Sequence, residues 1–214
     1  MILEKVLKFG ILKNYFKKLA IKDIDKSCCN LDYEIIDFDK TKEIICKESN
    51  QATRKSCDGL CLKKSINFIE FKSLNNFFDK EFKYKLKSNK KNLKESEIIN
   101  EKVSSFGFDK KIRDSLWILD YILNHHEIKL NSENLEQFYN DKIEKKYFVV
   151  KDNFQPLINL SMQFNALSGV KNNQLKNRDT MDILIDENLS KITLINKPKL
   201  IDCNELQEIL KENE

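Results

Sequence analysis

Glycine and proline are nearly missing from this chain, with four and two in 214 residues. Lys, Asn and Ile are abundant in their place, a bias expected of an A- and T-rich coding sequence, so isolated lysines and asparagines carry little functional weight. Histidine is as sparse, at two residues. His125 and His126 follow the end of a predicted helix with no ligand spacing around them and read as surface residues. No run reaches the ~18–20 apolar residues that span a bilayer. Lysines interrupt the first amphipathic segment throughout, which does not fit a secretory signal. The net charge of +4 excludes an overtly polycationic protein, so affinity for nucleic acid would have to come from local basic patches. The chain carries no helix-turn-helix signature, zinc finger, P-loop or internal repeat.

Six cysteines, at 28, 29, 46, 57, 61 and 203, fit neither a paired C-x2-C zinc site nor a compact secreted scaffold. Cys57 and Cys61 would lie on one face of a strand, about 13 Å apart, too far to share a metal. The expectation is six reduced, buried thiols in a cytoplasmic protein.

What is present suffices for one large domain. Apolar residues make up 41%, with 14 Phe, and charged residues 34% against a usual quarter or so. Residues 2–22 read as an amphipathic helix. Tyr33–Phe38 and Glu43–Lys47, separated by Asp39-Lys40-Thr41-Lys42, read as a hairpin. Cys57–Leu62 and Ile66–Lys72 follow as two further strands. The stretch from Leu74 to about Leu123 is helical in pattern, with a break near Ser104–Gly107 and a strong helix over Lys110–Asn124. Tyr147–Lys151 reads as a strand, Gln155–Leu167 as a helix, Asp182–Asp186 and Lys191–Asn196 as short strands, and Asp202–Lys211 as a terminal helix capped by Asp202. Residues 168–180 are the most linker-like.

The chemistry concentrates in two neighbouring segments, Cys57-Asp58-Gly59-Leu60-Cys61-Leu62 and Ile66-Asn67-Phe68-Ile69-Glu70-Phe71-Lys72. In a strand, residues two apart share a face, so Glu70 and Lys72 point together with Phe68, while Asn67, Ile69 and Phe71 point away. Ionisable groups on a strand buried on both sides cost several kcal/mol unless paired or metal-bound. Asp58 on the preceding strand completes a D-x11-E-x-K pattern.

That pattern, set after a helix and a meander, resembles the PD-(D/E)XK nuclease superfamily of restriction endonucleases, archaeal Holliday-junction resolvases and small bacterial defence nucleases. Asp58 matches the first acid, Glu70 the second, Lys72 the motif lysine and Phe71 the variable position, while Cys57 stands where a proline is common. The resemblance covers residues 33–72 closely, and extends by element order to about 152. It implies an α+β, restriction-endonuclease-like core with a central mixed sheet flanked by helices over 1–152. Residues 153–214 would form a helix and β-hairpin extension packed on the same domain.

It also implies catalytic roles for Asp58, Glu70 and Lys72, with Mg2+ or Mn2+ held by Asp58, Glu70 and the Phe71 main-chain carbonyl. Such hard oxygen ligands suit these ions. A further glutamate would come from Glu4, Glu34, Glu43 or Glu48. The implied activity is phosphodiester hydrolysis, on DNA rather than RNA, in bacterial defence or restriction. The partner would be an ATPase or helicase, or a second copy of the chain.

Lys80, Lys83, Lys85, Lys87, Lys90, Lys91 and Lys94, interleaved with Phe82 and Tyr84, form the densest basic segment. They read either as a solvated face or as a phosphate-contacting rim, with Lys83, Lys85, Lys87, Lys90 and Lys91 its candidates. Lys111 and Asp114-Ser115 could face the site but read as an ordinary polar helix face. Two non-enzymatic readings compete with the nuclease. One is a scaffold subunit that keeps the fold, with no membrane contact. The other is a nucleic-acid-binding module without cleavage.

Overall fold

The apolar run Ile66–Lys72 forms a strand that sits inside a sheet and fixes the layering of the protein. The computed structural model describes residues 15–62, 64–88, 93–125, 143–152 and 170–212. Among them the strands are β1 (Lys18–Ala20), β2 (Glu34–Asp37), β3 (Gly59–Leu62), β4 (Ile66–Lys72), β5 (Lys145–Lys151) and β6 (Lys199–Asp202). They lie in chain order in one mixed sheet. The β1–β2, β2–β3 and β3–β4 pairs are antiparallel, whereas β4–β5 and β5–β6 are parallel.

A parallel neighbour requires a crossover. Between β4 and β5 the chain passes through a helical run α3, then α4 (Glu95–Phe106) and α5 (Phe108–His125). The run α3 consists of Leu74–Asn76, a π-helical turn Phe77–Phe82, and Lys83–Lys87. Between β5 and β6 lies α6 (Val170–Ser190). The remaining helices are α1 (Ile21–Asp25), α2 (Phe38–Glu48) and α7 (Cys203–Glu212).

Strand alternation divides the core into two clusters. Ile36, Leu60, Phe68, Tyr147 and Val149 face one way and pack with residues of α2 to α6, such as Ile45, Phe77, Ile98, Ile112 and Met181. Ile35, Cys61, Ile69, Phe71, Phe148 and Val150 face the other way, against Ile21 of α1 and Leu206 and Leu210 of α7. The sheet is thus a middle layer with helices on both sides. Its central strands β3 and β4 are buried along nearly their whole length, and that is why they read as continuous apolar runs.

Several sequence expectations give way here. Residues 18–20 are strand and only 21–25 are helical, where one helix over 2–22 was expected; residues 1–14 lie outside the described set. The expected second hairpin strand, Glu43–Lys47, is helix α2. The Asp37 carboxylate accepts the Lys40 N–H at 3.1 Å and caps α2, and Thr41 and Ile45, four apart, are buried on its inner face. The expected short strand 182–186 belongs to α6, where Met181, Ile185 and Leu189 repeat at helical spacing and are all buried. No C-terminal hairpin forms there; residues 191–198 lead instead to β6, which pairs with β5. The linker-like stretch is helical from residue 170. The helix expected over Gln155–Leu167 lies outside the described residues.

The thiol expectation also changes. Cys29 and Cys203 form a disulfide, with Cα atoms 5.5 Å apart, joining the turn after α1 to the first residue of α7. Cys28, Cys46, Cys57 and Cys61 are free and buried. Cys57 precedes β3 and packs in the first cluster, whereas Cys61 packs in the second, so the two do not share a face.

One buried polar network anchors the crossovers. The Asp152 carboxylate, just past β5, accepts N–H bonds from Leu74 and Asn75 and the Ser73 hydroxyl, satisfying the start of α3. The Arg178 guanidinium of α6 pairs with it at 3.0 Å, both side chains being buried.

Candidate functional site

Glu70 lies in the middle of the sheet on the face shared with Phe68, and its side chain has no exposed surface. Left alone, such a carboxylate would cost several kcal/mol. Two ammoniums offset that: Lys72, two residues on along β4, and Lys111 of α5, whose Nζ lies 2.5 Å from Glu70 Oε1. Lys72 also donates to the Phe71 carbonyl at 3.2 Å. The second oxygen of Glu70, Oε2, is buried and has no hydrogen-bond partner.

Asp58 arrives from the segment before β3. Its main-chain carbonyl accepts the Phe38 N–H at 3.1 Å, and its Oδ2 accepts the Phe71 N–H at 2.7 Å. These bonds hold its Oδ1 3.6 Å from Lys111 Nζ. Two carboxylates therefore face two ammoniums. Glu70 is sealed, while Asp58, Lys72 and Lys111 keep side-chain exposures of 21%, 16% and 18%, so the cluster opens to solvent on their side.

Next to Asp58 the backbone of β3 runs close to β2. A Cβ on Gly59 would sit 2.4 Å from Ile35 Cδ1, so only glycine fits there without a shift of that side chain.

The electrostatics follow from this packing. Burial, with the Asp58 charge, pushes Glu70 up to about 7, against the pull of Lys72 and Lys111. Burial pulls the Lys111 ammonium down, but Glu70 and Asp58 outweigh it and hold Lys111 above its usual value. Tyr147 of β5 is buried beside the same cluster. Burial, followed by Cys57, Glu70 and Asp58, raises its phenol well above the ordinary range.

Glu70 and Lys72 thus share one face of β4, as the strand period predicts, whereas Asp58 lies just before β3 rather than on it and meets Glu70 through Lys111. Lys111, expected on an ordinary polar helix face, faces the site instead. It stands three residues after Phe108 and four before Ser115, both buried, and so falls on the inward stripe of α5. Gly107, at φ 60°, ends α4 in the left-handed conformation and turns the chain into that helix.

Asp114 and Ser115 are likewise more than an ordinary polar face. Asp114 accepts the Lys55 N–H at 3.0 Å and pairs with Arg54 and Lys110, and the Ser115 hydroxyl accepts the Cys57 N–H at 3.0 Å. Together they fix the segment that delivers Asp58. Arg54 lies over the Trp117 ring, 3.7 Å from its centroid.

The upstream glutamates have other surroundings. Glu34 is exposed on β2, Glu43 pairs with Lys40, and Glu48 accepts the Tyr15 hydroxyl; Glu4 lies outside the described residues. In the basic segment, Lys83 pairs with Asp79 and Lys85 with Glu101, both at the surface, and Lys87 is exposed. Lys90 and Lys91 lie outside the described residues, as do His126 and the side chain of His125.

Beside Lys72 a cleft of about 310 Å3 opens between the end of β4, the start of α3 and the C-terminal half of α4. Among the described residues there is no cluster of three His, Cys, Asp or Glu side chains able to hold a metal. No helix among them is long and apolar enough to cross a membrane. Comparison with family models, with curated proteins and with solved structures finds no match.

Proposed function

We propose that this chain is a metal-dependent nuclease of the PD-(D/E)XK type that hydrolyses DNA phosphodiester bonds at Asp58, Glu70 and Lys72. The observation that carries the reading is the buried Glu70, with Lys72 beside it on β4 and Asp58 brought up by the segment before β3. A helical crossover to the parallel strand β5 supports the restriction-endonuclease-like order of elements. A structural ion pair alone would leave Glu70 Oε2 without reason, whereas an oxygen that is buried and unpartnered suits a cation.

The donors fit Mg2+ or Mn2+ through Asp58, Glu70 and the Phe71 carbonyl, all hard oxygens. When bound there, such an ion supplies an acidified water and charge neutralisation at the phosphate. The chain's own residues do the rest. Lys72, held between the Glu70 carboxylate and the Phe71 carbonyl, presents N–H donors to an attacking water and to the phosphoryl oxygens. Asp58, fixed by the Phe71 N–H, is oriented before substrate arrives.

This reading sets the protein in a bacterial defence or restriction system, in the cytoplasm, with an ATPase or helicase partner or a second copy supplying target choice. The Cys29–Cys203 bond pulls against a reducing compartment.

Lys111 favours a second reading. Its ammonium already bridges Glu70 and Asp58, which is what a scaffold without a metal would need. Cleavage assays with Mn2+ separate the two. The nuclease reading expects DNA to be nicked by the wild type and not by folded Asp58→Ala, Glu70→Ala or Lys72→Ala. Equal cleavage by all four proteins would remove the site. No cleavage, together with no Mn2+ response in melting temperature, would favour a non-catalytic chain, scaffold or binding module, over the nuclease.

A further inference from the structure

We infer that the cleft beside Lys72 is a subsite for one unpaired nucleotide, its base lying on Phe106 and its phosphate between Lys72 and Lys102. The inference rests on the nuclease reading and names the substrate class, single-stranded DNA or a frayed end.

The walls carry the argument. Phe106 closes one side and is partly exposed, and Phe77 lies beneath, buried. Lys72 Nζ stands 5.1 Å from the Phe106 ring centroid, so the catalytic cluster and the cleft share this ammonium. Lys102 stands 5.3 Å from the Phe77 centroid and 5.9 Å from that of Phe106. Asn76, exposed, adds an amide.

A volume of about 310 Å3 is at the small end for ligand sites, enough for a single nucleotide and too little for a base pair. A base can enter such a cleft only after leaving its stack. Aromatic faces beside cations are the combination that holds single strands, because every base has a π-face and every step a phosphate.

Two further observations point the same way. The cleft is bounded by the π-helical turn of α3, a rare conformation that recurs at functional sites and that here contributes Phe77 and Glu81. Among the described residues Lys102 pairs with Glu81, itself half exposed, and an ion pair of that kind is weak enough to yield to a phosphate.

The test measures binding in EDTA, so that no cleavage intervenes, using a fluorescein-labelled thymidine oligomer and a hairpin duplex of the same length. The full-length wild type is expected to bind the oligomer about tenfold more tightly than the duplex. Phe106→Ala should lose about tenfold for the oligomer, Phe106→Tyr should retain it, and Lys102→Gln should weaken it several-fold. The duplex should change little in each variant. Equal affinity for both DNAs, or oligomer binding indifferent to Phe106 and Lys102, would overturn the subsite.

Cleavage in Mn2+ is scored separately. Asp58-dependent cleavage without these binding effects removes only the subsite. Phe106-dependent binding without cleavage removes only the nuclease.

Discussion

The Lys111 ammonium, on a helix 41 residues further along the chain, lies 2.5 Å from the Glu70 carboxylate and 3.6 Å from that of Asp58. It occupies the position between two acids where a divalent cation would compete with it. Lys111→Met should therefore destabilise the metal-free protein, by about 2 kcal/mol, less than a fully broken buried pair because Lys72 still faces Glu70. The same variant should show a larger rise in melting temperature with Mn2+ than the wild type. A rise no larger than that of the wild type would show that Lys111 and the metal do not compete.

Glu70 makes stability depend on pH with a definite sign. Burial pushes it from 4.5 up to about 7, so the folded state holds the proton more tightly than the unfolded chain. Its contribution is then most favourable below about pH 4.5, weakens as pH rises through 7, and levels off above. The change is on the order of 3 kcal/mol. Urea unfolding of wild type and Glu70→Gln across that range should give curves whose difference follows this slope. Parallel curves would contradict it.

The disulfide closes a loop of 174 residues. Alkylation of the unfolded, unreduced protein should find four free thiols, those of Cys28, Cys46, Cys57 and Cys61. Cys29→Ser with Cys203→Ser should lower stability by about 2–5 kcal/mol. Six free thiols in protein trapped directly from cells would mean that the bond does not form there. Burial pushes the Cys28 thiol far up, so this neighbour should not exchange with the bond in the native state.

Arg178→Ala removes the charged partner of the buried Asp152 and should cost about 3 kcal/mol in urea unfolding. Because Asp152 also receives the first N–H groups of α3, Asp152→Ala should cost a similar amount, and the double variant less than the sum. Additive losses would show the two residues to be independent.

β3 and β4 were legible because burial on both faces writes them as apolar runs, and the period of two then sorts Glu70 and Lys72 from Phe71; Asp58 lies just before β3 rather than on it. Where local composition and tertiary packing disagree, the sequence misleads. Ile44-Ile45-Cys46 and Ile183-Leu184-Ile185 look like strand, yet α2 and α6 bury residues four apart against the sheet. Lys111 could be found from its place on the inward stripe of α5, but its partners lie on distant strands that no spacing links to it. The Cys29–Cys203 pair is invisible for the same reason.

The mixed sheet also acts as a partition. The disulfide, α1 and α7 lie on the face of Phe71 and Val150, and the acids and ammoniums lie on the face of Phe68. Phe71 belongs to both worlds, with its ring in the rear layer and its N–H bonded to Asp58. Opening the disulfide would therefore act first on the rear layer of α1 and α7, on the opposite face of the sheet from Glu70, Lys72 and Lys111.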